Sequence, residues 1–246
     1  MTKSIDAFHL KLIAIVAMLL NHIGNGFDFM SFSPPLFWLT EFIGKLTFPI
    51  MAYLLVEGFH YTRNRWKYGL RLAFFSLVSV VPFHIYFENN WQFEVTDLFN
   101  NVLFTLLMGL CMMAVCELTD NRFLHVLIVL FFMLTTSLSD WNLFGILIIY
   151  WNYRIKDPRK RVVLPIVYVI LLLGLMMIPA VGMMSESEIF DNLFYLTTMT
   201  GLFLTIPLLL RYNGQRGYSP KWVKYGYYLF YPVHLLMLYL IRSVLF

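Results

Sequence analysis

The feature that most restricts this chain is the alternating charge of its loops. Apolar segments near residues 7–24, 36–58, 69–87, 98–117, 123–139, 141–153, 162–182, 189–210 and 223–244 are separated by short polar stretches. Lys3 precedes the first segment, Arg63, Arg65, Lys67 and Arg71 follow the second, and Arg122 follows the fourth. Arg154, Lys156, Arg159, Lys160 and Arg161 follow the sixth; Arg211, Arg216, Lys221 and Lys224 lie between the eighth and ninth. The intervening loops hold Asp28, then Glu88, Glu94 and Asp97, then Asp140, then Glu186, Glu188 and Asp191, and no Lys or Arg. Short basic loops are retained in the cytoplasm, so this pattern predicts a cytoplasmic N-terminus and an outward C-terminus. That topology needs an odd number of crossings, and about nine spans fit it, the sixth being short for a hydrocarbon core about 30 Å thick.

Composition agrees with this reading. Of the 246 residues, 60% are hydrophobic and 13% charged, against roughly 25% charged in soluble domains. The expected fold class is therefore all-α: a polytopic integral membrane helical bundle forming one transmembrane domain over residues 1–246. No second soluble domain is expected at this length. Nucleic-acid binding is set aside, because basic residues occur only as short loop clusters and not as a folded basic face. Cys111 and Cys116 are the two cysteines. Five positions apart on one helix they point about 140° from each other, so they read as apolar fillers and not as a disulfide. No metal-ligand spacing is present, and no metal is expected. The run after Lys11 lacks a small-x-small cleavage site, so it reads as a retained first span and not as a secretory signal.

Polar residues within apolar segments are costly and mark sites by default. Lys11 and His22 are eleven residues apart, which is three helical turns plus roughly 20°, so both leave one face about 16 Å apart along the axis. In the second segment Glu41 and Lys45 are spaced i,i+4 with the acid first, the favourable order for an ion pair. Their expected roles are mutual neutralisation or, for Lys45, control of the protonation of His22. Glu57 lies near the inner end of that segment, at about the depth of Lys11, and an ion pair between the two is the expected arrangement. His234 stands about eleven residues into the last segment, near the midplane, two positions after Pro232. It reads either as a buried imidazole bonded to a backbone carbonyl or as a second functional group. His9, His60, His84 and His125 read as structural. Asn100, Asn101, Thr105, Asp140 and Asn142 begin segments and read either as helix caps or as the rim of an outward-facing acceptor pocket. Arg63 and Arg65, and Arg216 within Asn213-Gly-Gln-Arg-Gly217, place forked donors beside turn residues, which suits phosphate.

Several stretches together resemble the TraX family of pilin-acetylating membrane proteins. They are Lys11-x10-His22 with Ile23-Gly24; Gly44-Lys45-Leu-Thr-Phe-Pro49; Leu55-Val-Glu57-Gly58 with Thr62-Arg63-Asn64; Asn101-Val-Leu-Phe-Thr-Leu-Leu-Met-Gly109; Tyr212-Asn213-Gly214 with Arg216-Gly217; and Phe230-Tyr231-Pro232-Val-His234-Leu. They occur in family order over nearly the whole chain. The first and last segments also resemble acyltransferase-3-like membrane enzymes, where a basic residue precedes a His on the first span. Two positions depart from the family pattern: Asn21 stands where Asp is usual, and Lys45 where Arg is often found.

The resemblance implies acetyl transfer, in a bacterial-type cytoplasmic (inner) membrane, from cytoplasmic acetyl-CoA to an extracytoplasmic protein amine, glycan or peptide. In that expectation His22 is the base or a transient acetyl carrier. His234 is a second base or an orienting group, and Lys45 or Asn21 stabilises the oxyanion. Lys11, Glu57, Arg63, Arg65, Arg71 and Arg216 would receive the coenzyme. The rival expectation is a transporter of small molecules or ions, since intramembrane charges and broken helices also serve permeation.

Overall fold

A computed structural model describes residues 4–181 and 184–245. Lys3, which enters the loop-charge pattern, lies outside the described residues, as does the side chain of Glu186. The helices in chain order are α1 (Ala7–Gly26), α2 (Phe29–Phe32), α3 (Pro34–Gly44), α4 (Thr47–Tyr61), α5 (Arg65–Phe87), α6 (Val102–Cys116), α7 (Arg122–Thr135), α8 (Asn142–Arg154), α9 (Pro158–Val181), α10 (Glu186–Thr198), α11 (Thr205–Leu210) and α12 (Lys221–Leu245). Two 3-10 turns, Val95–Phe99 and Met199–Leu204, join them. Among the described residues there is no β-strand, and extended pairing is limited to a parallel bridge between Ile5 and Tyr212.

Among the described residues, six helical stretches are long and apolar enough to cross a membrane: Ala7–Gly26, Pro34–Tyr61, Arg65–Phe87, Pro158–Pro179, Glu188–Leu210 and Lys221–Leu245. The other three apolar segments form α6, α7 and α8, of 15, 14 and 13 residues. At about 1.5 Å per residue these reach only about 20–23 Å, short of a core about 30 Å thick. Length is what separates α6 and α7 from the six that can cross unaided, and α8 is both shorter and less apolar. The chain is a multi-pass helical membrane protein.

The second stretch is broken, but not by the proline inside it. α3 ends at Gly44, a turn occupies Lys45 and Leu46, and α4 restarts at Thr47. Pro49 therefore falls in the first turn of α4, where a missing N–H costs no helical bond. Pro34 likewise opens α3.

The helices sort into two compact units, Met1–Ile50 with Ile155–Gln215, and Met51–Arg154 with Arg216–Phe246. In the first, Asp6 caps α1 by accepting the His9 N–H at 3.0 Å. The residues ahead of α1 are strapped to the chain after α11 by Ile5 N–H to Arg211 O (3.1 Å), Asn213 N–H to Ile5 O (2.9 Å) and Ala7 N–H to Gln215 O (2.9 Å). α1 buries Leu10, Ala14, Ala17, Met18 and His22, a stripe at helical spacing, and packs along α3. The other face of α3 meets α10, where Phe37 stacks on Phe194 (6.4 Å) and the Trp38 indole donates to Thr197 Oγ1 at 2.9 Å. Gly201 sets the closest approach there, since a Cβ at that position would lie 1.9 Å from the Phe42 carbonyl oxygen.

In the second unit α5 packs against α12 and α6, while α8 packs against α6 and α7. Gly109 lets α6 close on Ile149 of α8, whose Cδ1 would meet an added Cβ at 2.3 Å. Asn64 and Asn121 cap α5 and α7 through the N–H groups of Lys67 and Phe123. Asn101 caps α6 by accepting from Phe104 and also donates to the Ser76 carbonyl of α5, at 3.2 Å each. The expected cap at Asn101 is present, with this buried cross-link added to it.

Candidate functional site

Glu41 is the centre of the polar arrangement in the first unit. It is 6% exposed, and its carboxylate accepts from three side chains. The Asn21 amide donates to Oε1, the Asn25 amide donates to the same oxygen at 2.6 Å, and the Lys45 ammonium lies 2.8 Å from Oε2. The i,i+4 pair legible in the sequence is therefore formed, and two amides from α1 complete it.

Small residues bring these groups together. A Cβ on Gly24 would lie 2.1 Å from Thr40 Oγ1, and one on Gly44 would lie 2.6 Å from Asn21 Cβ. α1 and α3 thus approach closely at two points that flank Asn21 and Glu41. Small residues serve this purpose in membrane helix pairs, where apolar burial against lipid supplies no drive. Thr47 Oγ1, just past the helix break, donates to the Ala14 carbonyl at 3.1 Å and pins the start of α4 to the same helix.

His22 adjoins this knot in sequence and is 5% exposed. Asn21 and Asn25 precede and follow it by one and three residues, so their shared bond to Glu41 fixes the rotation of α1 about its axis. A rotation by one residue, about 100°, would break both bonds and move the imidazole off its face. Lys11 sits half-buried beside the same stripe, ten residues before Asn21.

The remaining predicted residues belong to the second unit. His234, on α12, is 5% exposed, its Nδ1 lies 2.7 Å from the Phe230 carbonyl, and its ring stacks on Phe230 at 4.5 Å. A carbonyl only accepts, so Nδ1 carries the proton and Nε2 is the basic nitrogen. The imidazole bonded to a backbone carbonyl, one of the two expected readings, is the arrangement found. Glu57 is half-buried on the part of α4 in this unit, and Arg63 is exposed in the turn before α5. Arg65 pairs with Glu117, donates to the Phe59 carbonyl at 3.1 Å and lies 3.9 Å over the Phe59 ring. Its guanidinium is committed to holding α4, α5 and α6 together. Lys224, read from the sequence only as a loop charge, lies within electrostatic reach of both Arg71 and Arg216.

One polar network was missed altogether. His84, near the end of α5, has Nδ1 3.0 Å from Asp97 and Nε2 3.0 Å from Asn90 Oδ1. The Asn90 amide is oriented by two further bonds, accepting from Gln92 N–H at 2.8 Å and donating to Glu88 O at 3.4 Å. Nε2 is thus within hydrogen-bonding geometry of Asn90, while Nδ1 meets Asp97 at ion-pair distance without such a bond. The same loop is tied to α12 by Arg242, which donates to Tyr86 O and Asn89 Oδ1. Its sequence signal was a lone histidine followed by a loop holding acids and no bases.

Buried charges satisfied by amides, broken helices and short helices define a class: polytopic membrane proteins built around an internal polar site. The TraX protein family model matches residues 7–242. A probable fimbrial assembly protein FimC, serogroup H1, of Dichelobacter nodosus is 30% identical over 248 residues, covering 97% of this chain and 97% of that protein. No solved structure matches the chain significantly. The chain belongs to the TraX family.

Proposed function

We propose that this protein is a membrane-embedded acetyltransferase, moving acetyl from cytoplasmic acetyl-CoA to an acceptor at the outer face of the inner membrane. The observation that carries the reading is the buried Glu41 carboxylate, tied to Asn21, Asn25 and Lys45 around His22. Such a group is expensive inside a membrane, and function is the usual reason for it. The loop charges support nine crossings with the N-terminus inside and the C-terminus outside, α6, α7 and α8 crossing where packed helices or a thinned bilayer make up their length. The name of the Dichelobacter nodosus relative supports a fimbrial subunit as the acceptor.

In this reaction the acceptor nitrogen or oxygen attacks the thioester carbonyl, and His22 takes the proton that the acceptor loses. Charge builds on the carbonyl oxygen, and the Lys45 ammonium, held by Glu41, stabilises it with the second N–H of Asn21. The C–S bond then breaks, and the coenzyme thiolate leaves and takes up the proton from His22. Glu41 touches none of the reacting atoms; it is a positioning residue.

A transporter is the other reading, favoured by the interruption of the second stretch between α3 and α4. One assay separates the two. Purified protein in neutral-lipid nanodiscs is expected to hydrolyse or exchange acetyl-CoA slowly, and His22→Ala to lose this while keeping its melting transition. Unchanged turnover in His22→Ala would remove His22 from the mechanism. Substrate flux without acyl chemistry would favour the transporter.

A further inference from the structure

Where α5 lies against α12 in the second unit, Arg71 and Lys224 each stand one helical turn before the stacked pair Phe75 and Tyr228. Arg71 is in the second turn of α5, Lys224 in the first turn of α12, and Arg216 in the chain leading into α12. The two helices are fixed by Phe75 stacked on Tyr228 at 5.2 Å. The Arg71 guanidinium reaches the Tyr228 hydroxyl and lies 5.8 Å from the Tyr68 ring, and its Nε is buried without a hydrogen-bond partner. Tyr68 is itself seated against Gly58, where a Cβ would be 3.0 Å from the ring. The charges that bear on Lys224 are those of Arg71 and Arg216, both of its own sign. Among the described residues none of the three forms an ion pair with a carboxylate.

Like charges brought to the same end of two packed helices repel one another in the empty protein. A multivalent anion seated among them removes that cost, and a forked guanidinium beside an ammonium and a phenol hydroxyl suits phosphate oxygens. We propose that Arg71, Arg216 and Lys224, with the Tyr228 hydroxyl, form a phosphate-binding site at this end of the α5–α12 pair. The phosphate is supplied either by the nucleotide end of CoA, a choice that rests on the acetyl-CoA reading above, or by an anionic lipid headgroup. Arg65 lies outside the site, its guanidinium being committed to Glu117 and the Phe59 carbonyl.

The test uses the full chain in phosphatidylcholine nanodiscs, with CoA binding followed by calorimetry and, in parallel, phosphatidylglycerol retention followed by mass spectrometry of protein extracted from mixed nanodiscs. Arg71→Gln and Lys224→Gln are each expected to weaken the bound source about tenfold at low salt, with Lys160→Gln on another basic loop as the unaffected control. A second readout has the opposite sign from a structural defect: without ligand, Lys224→Gln should melt no lower than wild type, and it should gain less stability on adding ligand. Loss of CoA affinity assigns the site to the coenzyme. Loss of lipid retention with no CoA binding by wild type keeps the site and removes the acetyl-CoA reading. Acetyl-CoA turnover with unchanged KM in both variants, together with unchanged lipid retention, overturns the site and leaves that reading intact.

Discussion

Replacing Glu41 by Gln tests whether the buried knot in the first unit is organised by charge. The carboxylate accepts from two amides and one ammonium, with the glutamate side chain 8% exposed and the lysine side chain 15%. A Gln at this position keeps one acceptor and turns an N–H₂ toward either Lys45 or the two asparagines, so at least one donor faces another donor. Lys45 is left charged and nearly buried. Removing one partner of a buried pair costs about 3–5 kcal/mol, because the other charge stays behind. At about 2–4 °C per kcal/mol for a chain near this length, the melting transition should fall by about 10 °C. The double variant Glu41→Gln/Lys45→Met removes the orphaned ammonium and should recover more than half of that loss. The measurement is tryptophan fluorescence during heating, in detergent and in nanodiscs, across the four-protein cycle. Additive losses, with the double variant as damaged as the sum of the singles, would refute the argument, since coupled buried charges cannot behave independently.

Gly201→Ala should cost about 3 kcal/mol or more, because the added Cβ meets the Phe42 carbonyl oxygen at 1.9 Å and backbone cannot step aside. Gly174→Ala in α9, where an added Cβ meets nothing within 4 Å, should instead stabilise by about 0.5–1 kcal/mol; paired melting curves check both. Asp6→Ala removes the cap of α1, and the loss should be about 0.5–2 kcal/mol at neutral pH. The capped His9 N–H holds the Asp6 carboxyl below the usual carboxylate range. Its contribution is therefore full above about pH 4 and fades as pH falls through the lower folded value, so the gap between wild type and Asp6→Ala should narrow only in acid.

What the sequence made legible follows from distance along the chain. Glu41 and Lys45 are one helical turn apart, so their pairing could be read directly and is present. The stripe that carries Lys11 and His22 was equally readable, because burial on α1 follows one helical period. The site at Arg71, Arg216 and Lys224 joins residues about 150 positions apart, and only the packing of α5 on α12 makes them neighbours. The partners of His84, itself readable as structural, were hidden for another reason. Its partners lie within thirteen residues, but contact depends on Asn90 turning the chain back beyond Asn89, a residue with a positive φ of 52° that no periodicity announces. The interruption of the second stretch falls at Gly44, where α3 ends in close contact with Asn21, and no apolar spacing announces it.

Asn21 is the position where family resemblance and physical chemistry meet most directly. Against the aspartate that the family resemblance leads one to expect, an amide here looks like a loss, since a carboxylate next to His22 would favour its protonated form. In this chain the carboxylate comes from α3 instead, and the Asn21 amide is what holds it. An aspartate at position 21 would set a second negative charge against the Glu41 oxygen that already serves Asn25, and the two acids would have to share a proton. The amide and the neighbouring helix therefore form one solution: Asn21 gives up a charge so that Glu41 can keep its own, with Lys45 balancing it. The catalytic proposal then rests on one charge and its counter-charge being held at the last turns of α1 and α3, and not on the identity of residue 21 taken alone.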